Sequence, residues 1–140
     1  MRAVLRILAG ILVGLGAAFA LVVAVELFSA VVYPLPEDFD GTMEAMCRHV
    51  QNYPQWILAV VVPLWFVTGM AGTWIAQKIG NITAALVVGL LLLAAIVFNV
   101  VNLPYPLWFK VANLFAFPIA LFAGSRLANR RKPAAAVPAN

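Results

Sequence analysis

The chain has 140 residues, of which 65% are hydrophobic and 10% charged, with a formal net charge of +4 and a mean hydropathy of +1.02. That balance lies far outside the range of water-soluble domains. It also argues against nucleic-acid binding, because the basic residues flank apolar runs instead of forming a groove, and the single cysteine, Cys47, excludes an internal disulfide.

Four runs of roughly twenty apolar residues can each cross a hydrocarbon core of about 30 Å. They fall at about 7–32, 55–76, 82–101 and 107–125. The sequence therefore predicts an all-α membrane protein with four transmembrane helices, a membrane domain over 1–126, an outer loop over 33–54 and a basic, disordered tail over 127–140.

The first run follows Arg2 and Arg6 and contains Ala18-Phe19-Ala20, which is similar to a signal-peptide cleavage site. It continues to Val32, too far for a signal h-region, so it reads as a span. Gly10-x-x-x-Gly14 makes one side of this helix smooth enough for close helix contact. At 100° per residue these glycines point away from Glu26, the one acidic residue within an apolar run.

The loop that follows holds Glu37, Asp38, Asp40 and Glu44. After PLPEDFDG, the segment TMEAMCRHVQN predicts a short helix with Asp40 as its N-cap. Met43, Met46, Cys47 and Val50 give that helix an apolar side suited to the membrane surface. Cys47 and His49 are the only residues of their kinds and supply at most two ligands, so no metal site and no cofactor is predicted.

The remaining spans are joined by short connections, QKIGN and VNLPYPLWFK, so consecutive helices run antiparallel as neighbours. Tyr33, Tyr53, Trp56, Tyr105 and Trp108 gather at one predicted boundary as an aromatic belt. Tyr53-Pro54-Gln55-Trp56 and Tyr105-Pro106-Leu107-Trp108 recur 52 residues apart, and Gly72, Gln77 and Lys78 have counterparts in Gly124, Asn129 and Arg130. This admits a parallel 2+2 hairpin repeat, against the alternative that interfacial physics selects the same residues twice. Gly10, Gly14, Gly72 and Gly124 are the expected helix-packing positions.

Arg2, Arg6, Lys78, Arg126, Arg130, Arg131 and Lys132 fall on one side of the spans, and Arg48 and Lys110 on the other. The excess predicts cytoplasmic N- and C-termini in a multi-pass protein of the bacterial inner membrane. Counting along the helices, Glu26 lies roughly 10 Å below the outer boundary, Asn99 roughly 9 Å and Asn113 roughly 8 Å. Pro63 and Pro118 remove the helical donors to the carbonyls of Ala59 and Leu114 at or below the same level. An ionised carboxylate there costs about 2.5 kcal/mol or more. Glu26 is thus expected to be protonated or paired, with Lys110 as the nearest candidate. Two readings stay open: a proton or cation site built from Glu26, Asn99, Asn113 and Lys110, or an interhelical hydrogen bond of about 1 kcal/mol.

Three pieces carry a resemblance: Glu26-x-x-Ser29-x-x-Val32-Tyr33-Pro34-x-Pro36, Gly72-x-Trp74-x-Ala76 and Asn102-Leu103-x-x-Pro106-x-Trp108-Phe109. Together they resemble a group of small uncharacterised four-helix bacterial membrane proteins, which implies an inner-membrane location and no particular activity. Glu26 also looks like the first-helix glutamate of the small multidrug resistance family, which exchanges protons for cationic drugs. The long acidic first loop and the position of Glu26 near the outer face depart from that family.

Three functions follow as expectations. The most economical is a non-enzymatic membrane component, with the lipid bilayer and a homo-oligomer or another membrane protein as partners and no nucleic acid; changes at Gly10 or Gly14 would then alter association. The alternatives are a proton- or cation-coupled transporter using Glu26, and a membrane enzyme acting on a lipid or quinone.

Overall fold

The computed structural model describes residues 1–130. The predicted tail falls mostly on 131–140, outside the described residues. Five helices and no strand make up the described chain: α1 (Arg2–Val32), α2 (Met43–Gln51), α3 (Gln55–Ile79), α4 (Ile82–Asn102) and α5 (Leu107–Asn129). All but α2 are long and apolar enough to cross a membrane. Each long helix contains its apolar run and overshoots it where polar residues still favour the helix. Residues 127–129, assigned to the tail by composition, belong to α5.

Local chemistry sets the ends. Asn81 Oδ1 accepts hydrogen bonds from Thr83 N at 2.9 Å and Ala84 N at 3.2 Å, capping α4 immediately after α3 stops at Gly80. The N-cap of α2 is Thr42, whose hydroxyl accepts from Ala45 N at 3.1 Å. Asp40 acts one step earlier than expected: its carboxylate accepts from Thr42 N at 3.0 Å and Thr42 Oγ1 at 2.7 Å. Those bonds, the backbone one foremost, hold Asp40 below the usual carboxylate range. An Asx turn thus hands the chain to the cap, and Gly41, at φ 76°, supplies the left-handed step between them.

The four long helices alternate in direction, so both ends of the described chain lie at one end of the bundle and α2 at the other. The termini end is built from small residues. Gly10 and Gly14 of α1 lie against Gly72, Ala76 and Gly80 of α3; a Cβ added to Gly10 would stand 2.7 Å from Ala76 O and 2.7 Å from Gly80 N. Gly124 of α5 fits equally closely against Met70 O and Thr73 Oγ1 of α3. Ala76, Ala84 and Val88 form the small core there, flanked by Ile7, Ile11 and Leu15. Without a hydrophobic drive between helices in lipid, such close backbone approach is what holds them together.

The α2 end is built from large residues. Ile57, Leu58, Trp65, Phe109 and Phe117 form its core, with the Trp65 and Phe109 rings edge to face at 5.6 Å. The middle pair, α3 and α5, is fastened at both ends. Trp108 Nε1 donates to Gln55 Oε1 at 2.6 Å near α2, and Gln77 Nε2 donates to Asn129 Oδ1 at 2.8 Å near the termini, where Ser125 Oγ also donates to Gln77 Oε1. Packing is unequal around this pair: α1 lies extensively on α3, whereas α4 touches α5 sparsely.

Candidate functional site

Cavities lie between the helices on the α2 side, and Glu26 sits where they meet. Three adjoining cavities have the Glu26 side chain in their walls. The largest, about 650 Å³, runs from α2 down between α1 and α4. A second, about 150 Å³, continues towards the middle of the bundle past Trp65, Thr68 and Phe117. The third, about 30 Å³, is a slot between Ser29, Tyr53, Trp65 and Tyr105.

Glu26 reaches this position because it shares a helix face with Ser29 and Tyr33, three and seven residues further along α1. Ser29 is buried, at 6% exposure, while Glu26 itself is exposed at the rim of the isolated chain. Its carboxylate makes no ion pair or hydrogen bond with any described residue; the one ion pair among them is Arg48 to Glu44, at 3.1 Å on α2. Lys110, the expected partner, does not line these cavities. On α5 it follows Phe109, whose side chain is fully buried in the core.

Asn99 and Asn113, expected in one layer with Glu26, are separated. Asn99 lines both larger cavities with Glu26, and its Oδ1 is buried with no hydrogen-bond donor among the described residues. That is the costly state for a buried acceptor. Asn113 is buried at 1% exposure but spends its amide locally, Nδ2 donating to Phe109 O at 2.9 Å. Ala59 and Leu114, whose carbonyls lose their proline-blocked donors, lie on exposed sides of α3 and α5, away from Glu26. The four glycines lie outside the site, in the α1–α3 and α3–α5 contacts.

Residues read as interfacial anchors line the cavity instead. The Tyr33 and His49 rings stack with centroids 4.6 Å apart, and Tyr53 lies 5.0 Å from Tyr33 and 5.3 Å from His49. Burial pushes the Tyr53 and Tyr105 phenols above their ordinary value, with the nearby Glu26 charge adding to it; Ser29 beside the Tyr53 hydroxyl partly offsets the effect there. Burial pushes His49 down, so its imidazole is neutral at pH 7. The buried side of α2 therefore carries Ala45, His49 and Val50, while Met43 is 64% exposed at the rim of the large cavity. The three-and-seven spacing of Glu26, Ser29 and Tyr33 was a readable signal. Tyr53, Tyr105 and His49 carried none, because their meeting depends on how α2 folds back.

Chemically, the site offers two acceptors without donors, a neutral imidazole and several hydroxyls. Ser29, His49 and Glu26 share the large cavity, yet no hydrogen bond joins any two of them, so the nucleophile–base contact of acyl transfer is missing. No group of three metal-ligating side chains occurs among the described residues. No protein-family model, curated protein or solved structure matches this chain.

Proposed function

We propose that this is a multi-pass protein of the bacterial inner membrane, with cytoplasmic N- and C-termini, that acts as a non-enzymatic component binding a ligand at Glu26. The observation that carries the reading is a carboxylate without a partner at the junction of three cavities. A merely structural glutamate would be expected to hydrogen-bond a neighbouring helix. The charge distribution supports the sidedness, with Arg2, Arg6, Lys78, Arg126 and Arg130 at the termini end. The motifs shared with small four-helix bacterial membrane proteins support the same location. The hairpin repeat draws support from the bond between Gln77 and Asn129, 52 residues apart, and the unequal packing of α1 and α4 counts against a strict two-fold.

Transport is the weaker reading, because the cavities that Glu26 lines are distinct from the one of about 330 Å³ between α4 and α5 nearer the termini. A route through would have to join the two. Substrate-driven proton flux in liposomes that vanishes in Glu26→Gln would restore it.

The binding reading is tested with a hydrophobic carbodiimide, which modifies carboxyl groups reachable from the membrane. Peptide mapping of the purified protein is expected to find one adduct, on Glu26 and absent in Glu26→Gln, with slower labelling after addition of a total membrane lipid extract. Labelling at the same rate with and without the extract would overturn the reading.

A further inference from the structure

The large cavity has walls of two kinds. Towards the bilayer, Leu27 and Phe98 stand at its edge, 62% and 70% exposed, so the gap between α1 and α4 opens sideways into lipid. Inside are aromatic rings and the Glu26 carboxylate, an acceptor with no donor among the described residues. Such an acceptor calls for a group with N–H or O–H donors.

Charge chooses between those donors. No lysine or arginine lines the cavity. The loop above it, residues 33–54, holds four acidic residues, Glu37, Asp38, Asp40 and Glu44, against one arginine, Arg48. A carboxylate without a counter-ion, aromatic faces and an acidic rim all favour a cation. The volume of about 650 Å³ is that of a small-ligand pocket.

We propose that this cavity binds the primary ammonium head group of a membrane amphiphile. The ammonium donates to Glu26, and the chain leaves past Leu27 and Phe98 into the bilayer. A quaternary ammonium has no N–H for the Glu26 carboxylate, and a glycerol head group brings no positive charge for it. This rests on the binding role of Glu26 above and names the ligand class. The ammonium can come from an aminophospholipid or from a free long-chain amine.

Native mass spectrometry of the full chain in detergent, titrated with dioleoyl lipids bearing ethanolamine, choline or glycerol head groups, tests it. The ethanolamine lipid is expected to bind about tenfold more tightly than the other two, the worth of one charge-assisted hydrogen bond. Glu26→Gln is expected to abolish the preference, with unchanged helicity and unfolding midpoint. Dodecylamine that binds in a Glu26-dependent way, without an ethanolamine preference among the lipids, supports the ammonium and assigns its source to free amines. Equal binding of all three lipids together with Glu26-independent binding of dodecylamine overturns the proposal. A glycerol-lipid preference that Glu26→Gln removes also overturns the ammonium, while leaving Glu26 as a binding group. Lipid binding wholly indifferent to Glu26→Gln, with unprotected carbodiimide labelling, overturns both readings.

Discussion

Replacing Gly10 with alanine places a methyl group 2.7 Å from Ala76 O, 2.7 Å from Gly80 N and 2.8 Å from Gly80 Cα. Ordinary van der Waals contact begins near 3.4 Å, so α1 and α3 must part by a large fraction of an ångström. All three neighbours are backbone atoms, and none can turn aside. Overpacking of this kind costs about 1–3 kcal/mol. Alanine offsets part of it, because it favours a helix interior over glycine by up to about 1 kcal/mol. The net expectation is a loss of about 1–2 kcal/mol. Gly16 is the internal control: a Cβ there meets nothing within 4 Å, so Gly16→Ala keeps the helix gain and carries no clash. Equilibrium unfolding in mixed micelles with rising dodecyl sulfate should separate the two variants by about 2–3 kcal/mol. A Gly10→Ala protein as stable as Gly16→Ala would refute the seam.

Three further outcomes follow from the contacts. Thr73→Val removes a hydroxyl that lies 2.9 Å from Gly69 O, 3.1 Å from Met70 O and 3.3 Å from Leu121 O, and should cost about 1 kcal/mol in the same unfolding assay. Gln77→Leu strips Ser125 and Asn129 of their shared partner; hydrogen exchange at the amides of 126–129 should quicken while those of α4 stay unchanged. The α2 end should loosen at both extremes of pH. His49 is held below its ordinary 6.5, so the unfolded state takes up a proton first and stability falls as pH drops through that value. Tyr53 and Tyr105 are held above 10.0, so the unfolded state loses protons first and stability falls again as pH rises past 10. Protection factors in α2, each rate taken relative to the intrinsic exchange at that pH, should trace a plateau between these limits, and His49→Phe should remove its acid edge.

The helices were legible because hydropathy over twenty residues is a strong, local signal, and bilayer thickness fixes what it means. Their ends were legible where capping is local, as at Asn81. The displacement of the α2 cap from Asp40 to Thr42 shows the limit: both residues can cap, and Gly41 between them decides which one does. Composition placed the tail at 127, but α5 continues to Asn129 because Gln77 holds that asparagine.

The site was legible only along α1. Depth counting put Glu26, Asn99, Asn113 and Lys110 in one layer, but depth is one coordinate of three. Rotation about each helix axis separates them. Asn99 turns towards Glu26, Asn113 turns inward onto its own helix, and Lys110 is cut off by Phe109. The rotation of α5 is set in turn by Gly124 against Thr73 and by Gln77 against Asn129, both near the opposite end of the bundle. A hydropathy profile has no term for such contacts.

Glycines hold α1 against α3 at the termini end, and Trp65, Phe109 and Phe117 fill the core between α3 and α5 towards α2. The large cavity lies beside that core, between α1 and α4, and the 33–54 segment forms much of its wall. α2 covers its top through aromatic contacts of His49 with Tyr33 and Tyr53, and leaves the side between Leu27 and Phe98 uncovered. Water-soluble ligands would have to pass α2, whereas a lipid needs only to slide in from the membrane. The cover of α2 above and the gap between Leu27 and Phe98 at the side thus determine which solvent can reach Glu26. The geometry favours the bilayer.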